Sequence, residues 1–144
     1  MSGREDIYEA LFAKFLALKN APFAVVSRKL RPLEDLSAAE FPALFLTLGK
    51  QQFAEKSGLP AKRTYNASLI IFVASPNDAI PSGIQLNNLL DVAEAALITG
   101  NMFQPQQTLG GLVEHAWFAG TVDVYEAVKA QRAAAIASIS MLIP

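Results

Sequence analysis

Apolar residues recur at Ile7, Leu11 and Phe15, with Tyr8, Phe12, Leu16 and Leu18 beside them. Glu9, Lys14 and Lys19 fall mostly outside that stripe. This is the spacing of a helix with one wide buried face. Ser2-Gly3-Arg4-Glu5 fits the capping box S-x-x-E, in which a hydroxyl and a carboxylate satisfy exposed amides reciprocally. Asn20 can take a left-handed cap, and Pro22 forbids continuation. The pattern predicts a helix over residues 3–19.

The period then changes. Residues 23–30 are β-branched and alternating enough for a strand, which Arg31-Pro32 ends. Residues 33–40 read as a polar connection, with room for one helical turn after Ser37. Residues 43–48 are almost continuously apolar, as in a strand covered on both faces. Residues 49–62 read as a projecting loop or a long hairpin arm, because Gly58-Leu59-Pro60 is turn chemistry. Residues 63–74 form the strongest strand, with Tyr65, Ala67, Leu69, Ile71 and Val73 on one face and Ile70 and Phe72 on the other. That strand is expected at the centre of the sheet. A second helix is predicted from Pro81 or Ser82 to about Ile98, burying Leu86, Leu89, Leu90, Ala93 and Leu97. Two strand patterns follow, residues 112–126 and 133–143, around the turn Lys129-Ala130-Gln131-Arg132. Gly120 inside the first marks a bulge or bend. The order is α-β-β-β-α-β-β, which predicts an α+β fold of two helices packed on a mixed, mostly antiparallel sheet. Residues 1–144 are expected to form one domain.

Composition narrows the chemistry. A chain of 144 residues buries roughly 68–70% of its unfolded surface, so it can hold a core without staples. With no cysteine and one histidine, it has no disulfide framework, no thiolate ligands and no multi-histidine metal site. The formal net charge of −1 argues against a DNA-coating protein, which carries a basic stripe. No apolar run approaches the roughly 20 residues of a membrane helix. Arg4, Glu5, Asp6 and Lys14 interrupt any signal-peptide reading. A cytoplasmic domain is expected. Its 52% hydrophobic content is high for a domain of this size.

No catalytic or metal-binding constellation stands out. His115 has Glu114 beside it, but on a strand neighbouring side chains point to opposite faces. Asp91 and Glu94 stand three apart on the second helix, with no histidine to complete a metal site, and read as a solvated face. Gly110-Gly111 lacks the lysine and hydroxyl residue of a phosphate loop and reads as a tight turn. The basic groups Arg28, Lys29, Arg31 and Lys62-Arg63 lie among acidic residues, which suits a mixed surface or contacts to a protein partner. Trp117 and Phe118 are an interface anchor or core, on opposite faces of their strand. No cofactor is expected.

Three segments are more specific in combination. They are REDIYEALFAKF (4–15), LNNLLDVAEAAL (86–97) and QTLGGLVEHAWFAGTVDVYEA (107–127), the last followed by ISMLIP (139–144). In this order and spacing the chain resembles the tail terminator family of long-tailed bacteriophages and prophages (tail completion, minor tail protein U-like). The resemblance implies an α+β structural protein of the virion tail, not an enzyme, assembled in the cytoplasm of the bacterial host. It implies a ring of identical copies, commonly a hexamer, on the last ring of the tail tube. That ring stops tube growth and presents a surface to the head completion or connector protein. DNA passes through the lumen without specific binding, which a near-neutral charge suits.

A ring with one repeated contact joins two different patches of the chain. Gln51, Phe53 and Leu59 on the arm are candidate interface residues, because two of them are apolar in a polar stretch. Folding back onto the chain's own sheet is the competing account. Met102 and Phe103 are candidates for docking on the tail tube or the head. Two other readings stay open. One is another neck, head–tail joining or minor tail protein. The other is a small-molecule-binding α+β domain, which needs Tyr65, His115 and Glu114 to converge in an apolar pocket.

Overall fold

The computed structural model describes residues 3–75, 81–98, 107–129 and 131–144. The elements are α1 (Arg4–Leu16), β1 (Val25–Ser27), β2 (Ala43–Lys56), β3 (Leu59–Ala74), α2 (Ser82–Leu97), β4 (His115–Lys129) and β5 (Arg132–Ile143). Two short 3-10 turns, Leu33–Asp35 and Ala38–Glu40, lie between β1 and β2. The five strands form one sheet in the order β1-β2-β3-β5-β4, which puts β3 at its centre. The β1–β2 pair is parallel and the other pairs are antiparallel. The fold is α+β, two helices and a mixed sheet in the expected order.

Both helices lie on one face of the sheet. Ile7, Leu11 and Phe15 of α1 and Leu86, Leu89, Ala93 and Leu97 of α2 share one buried cluster with alternate residues of β3 and β5. On β5 the side chains pointing to this cluster include Ala133, Ala135 and Ala137, all at most 1% exposed. Their small size lets helix and sheet approach closely, so this alanine run serves packing. The opposite face carries a second, smaller cluster. There Leu36, Ala43, Phe45 and Ile70 pack with Phe41, Phe72 and Ile136 beneath the segment joining β1 to β2. Arg132 secures that segment, donating to the Leu33 carbonyl at 3.0 Å with its guanidinium 4.8 Å from the Phe41 ring centre.

Local details depart from the sequence pattern in four places. The helix stops at Leu16, three residues early, because Leu18 and Lys19 bond back to the carbonyls of Phe15 and Leu16 in tighter turns. Asn20 does adopt positive φ, at 70°. At the other end the N-cap is Gly3, whose amide donates to Asp6 Oδ2 at 3.1 Å. Ser2 lies outside the described residues, and Glu5 pairs with Arg28 rather than closing a capping box. The first strand is only Val25–Ser27, because Arg28 turns out of the ladder to meet Glu5 and Glu9 at 2.7 and 2.6 Å. The strand expected from residue 112 begins at His115, after a turn in which Val113 and Gly111 both donate to the Thr108 carbonyl. Gly120, at φ 71°, sits in the register shift between Ala119 and Asp123, as a bulge requires. No helix among the described residues is long and apolar enough to cross a membrane.

Candidate functional site

Residues 49–62 are a hairpin arm rather than a loop, since β2 and β3 run on through them. The turn is Ser57-Gly58, one residue earlier than Gly-Leu-Pro suggested, and Leu59 and Pro60 already belong to β3. Gly58 takes φ 73°, which a side chain would oppose. The neighbouring strand β5 first pairs with β3 at Arg63, opposite Ile143. Residues 59–62 and their β2 partners therefore extend past the sheet as a two-stranded ribbon. Four residues at about 3.3 Å each give a projection of about 13 Å.

The root of this ribbon is held on two sides. Gln51, half-buried, accepts a 2.7 Å hydrogen bond from Arg4 Nε at the start of α1. The Arg4 guanidinium lies 5.7 Å from the Tyr65 ring centre, and Tyr65 stacks on Tyr8 at 6.1 Å with the rings 5° apart. The Tyr8 hydroxyl in turn donates to the Asn66 carbonyl at 2.9 Å. From the other side Lys62 Nζ meets Glu114 Oε1 at 2.9 Å.

Beyond the root every described side chain is exposed. Phe53 is 55% exposed and Leu59 65%. Phe53 stands opposite Arg63, which shares one face of β3 with Tyr65, so Phe53 projects from the face that bears the helices; Leu59 lies at the tip, beyond the register shift between Ala54 and Lys56. They do not fold back onto the sheet. Gln51 belongs to the root and not to the tip. Met102 and Phe103 lie outside the described residues.

The other chemical candidates are dispersed. Tyr65 is buried under α1, whereas His115 pairs with Leu142 on the opposite face and stacks on Trp117 at 5.1 Å. His115 Nδ1 accepts from the Gln107 amide at 3.1 Å, and Glu114 is engaged by Lys62. A cavity of about 290 Å³ beside Tyr65 is lined by Ile7, Arg63, Gly111, Leu112, Ile143 and Pro144, without His115 or Glu114. The three residues of the ligand-binding reading are therefore not brought together. Phe118 packs against the main cluster and Trp117 takes the other face. Asp91 and Glu94 are exposed, and among the described residues no three potential metal ligands come together. The cations Arg28, Arg31 and Lys62 are each paired with glutamates of the same chain.

Sequence reasoning missed further exposed apolar residues. Ile84 at the start of α2 is 56% exposed, and Val122, Val124 and Tyr125 of β4 are 46%, 44% and 51% exposed. Their positions fit ordinary helix and strand patterns, so nothing in the sequence separates them from core.

No family model matches this chain, and no curated protein matches it. Solved structures do. One match is a chain of the "Virion of native gene transfer agent (GTA) particle", at 12% identity and a TM-score of 0.54. The match covers 94% of this chain and 92% of that one. At that identity the likeness is one of fold.

Proposed function

We propose that this chain is a structural protein of a phage-like particle. In this reading it forms a closed ring, a hexamer in the family it resembles, on the last ring of the tail tube. The ring ends tube growth and offers its free face to the head completion or connector protein, while DNA passes through the lumen. The observation that carries the reading is the arm, in which a root fixed by Arg4, Gln51, Tyr8 and Lys62 presents a tip with Phe53 and Leu59 uncovered. A rigid two-stranded ribbon with exposed apolar side chains is suited to reach a neighbouring subunit. The fold shared with a chain of a gene transfer agent virion supports the same class. A neck or head–tail joining protein is the second reading, which the same likeness supports.

Negative-stain microscopy of concentrated protein, alone and mixed with tail tubes, is the test. Closed rings with a central hole, seated on tube ends, are expected. Rings that bind head connectors but ignore tube ends shift the assignment to head–tail joining. Monomers at every concentration, unbound to tubes, overturn the structural-ring reading.

A further inference from the structure

The chain carries two unlike exposed surfaces, one at an end of its sheet and one at an edge. The arm is built from β2 and β3, at the end of the sheet where β3 begins. The second surface lies at the far edge, on β4 and the first turn of α2. Gly83 sits so close to β4 that an added Cβ would stand 2.0 Å from Glu126 Oε1. This contact sets the start of α2 over the second half of β4, where Val122 and Val124 are exposed. Val124 lies opposite Ala135, a core residue of the helix-bearing face, so it projects from the same face of the sheet as Phe53. β4 ends the sheet. Among the described residues its outer edge is met only near its start, where Ala116 donates to Gln107.

Charge distinguishes the two surfaces. Apart from Lys62, which Glu114 holds, residues 50–63 carry three cations, Lys50, Lys56 and Arg63, against the single anion Glu55. α2 and β4 hold four anions, Asp91, Glu94, Asp123 and Glu126, against the single cation Lys129. Opposite charge on two surfaces of one chain favours a head-to-tail contact between copies and disfavours arm against arm.

From this we infer that the arm's receptor is a second copy of this chain: the arm tip, with Phe53 leading, seats on Val122 and Val124 of the next subunit, and the arm's cations face its Asp91 and Glu126. The inference rests on the proposed ring and specifies its repeated contact. Each copy offers one arm and one receptor, so the contact is heterologous and closes when the rotation between copies divides a full turn. The free edge of β4 adds backbone groups that an arriving strand can pair.

Charge exchange and cross-linking test it together. One variant carries K56E and R63E on the arm, and the other D91K and E126K on the receptor. Each alone is expected to need at least roughly tenfold more protein to assemble, because like charges then oppose. An equimolar mixture of the two restores assembly, since each reversed surface finds its complement. In parallel, L59C and V124C place thiols in a chain that has none. The double variant is expected to give a ladder of covalent multimers with a short bis-maleimide, the mixed single variants a dimer only, and L59C alone no product. Three outcomes overturn the inference and leave the ring standing: wild-type rings without the L59C–V124C cross-link, dimers from L59C alone, or no rescue on mixing. A wild-type chain that stays monomeric overturns both.

Discussion

The Tyr8 hydroxyl bonds the Asn66 carbonyl at the point where the β2–β3 ladder slips. Leu48 pairs with Ala67 and Gln51 with Tyr65, so Gly49 and Lys50 together face the single residue Asn66. A helix side chain thus serves a strand carbonyl at the root of the arm. Tyr8→Phe is expected to cost about 1–2 kcal/mol by leaving a part-buried acceptor unmet. Burial pushes the Tyr8 phenol above its ordinary value of 10.0, outweighing the opposing pull of Gln51. The neutral phenol is therefore favoured in the folded state. Its contribution is complete below pH 10 and declines as pH rises through the raised folded value. Urea melts from pH 8 to 11 should show an alkaline loss in the wild type that is smaller in Tyr8→Phe.

Gly49→Ala tests the same bulge from β2. A Cβ at Gly49 would lie 3.0 Å from three Asn66 atoms, two of them backbone, which cannot rotate away. The ladder must open to admit it. A loss of about 1–3 kcal/mol is expected in denaturant melts, as for other overpacked sites. The change should also increase protease cleavage within residues 50–62, because the bulge anchors the arm's root. Cleavage unchanged from wild type would show that the arm's root does not depend on it.

Glu40 supplies the acid counterpart. The Ser37 amide donates to Glu40 Oε1 at 3.0 Å and Arg31 pairs with the same carboxylate. These hold its pKa down, from 4.5 to about 2. A carboxylate depressed in the folded state stabilises above its unfolded value and loses that contribution as pH falls. The loss is expected between pH 4.5 and about 2. It loosens the segment that packs Leu36 and Phe41 over Phe45 and Ile70. Carboxylate titration by NMR should place Glu40 well below the other glutamates, and Arg31→Ala should move it upward. Glu40→Gln should flatten the acid limb of the stability curve.

Elements whose partners are local or periodic were legible in the chain. Ile7, Leu11 and Phe15 announce α1, alternation from Tyr65 to Val73 announces β3, and Gly120 announces its bulge. What failed depended on distant partners. Val25 and Val26 look like the middle of a longer strand, but Arg28 is drawn off by Glu5 and Glu9, which precede it by 23 and 19 residues. The second apolar cluster was hidden because Leu36 sits in a polar connection, and its partners lie on β2 and β3. The arm was ambiguous between loop and hairpin because a ribbon wet on both faces has no reason to alternate. For the candidate site, Phe53 and Leu59 stood out as apolar residues in polar company. Ile84, Val122 and Val124 did not, since an exposed edge residue and a core residue leave the same pattern when both are apolar.

Stability and assembly should separate when the core and the arm tip are mutated in turn. Leu11 is fully buried between α1 and the sheet, so Leu11→Ala removes contacts and leaves a cavity. It is expected to cost about 2–5 kcal/mol. Phe53 and Leu59 are 55% and 65% exposed and bury little within their own subunit. Phe53→Ser with Leu59→Ser is therefore expected to change folding stability by no more than about 0.5 kcal/mol per site. If the proposed ring holds, the same double variant should lose ring formation in light scattering and microscopy, because it removes the apolar area that the proposal gives to the neighbour. The reverse result, a destabilised chain that still forms rings, would assign the arm tip to its own fold.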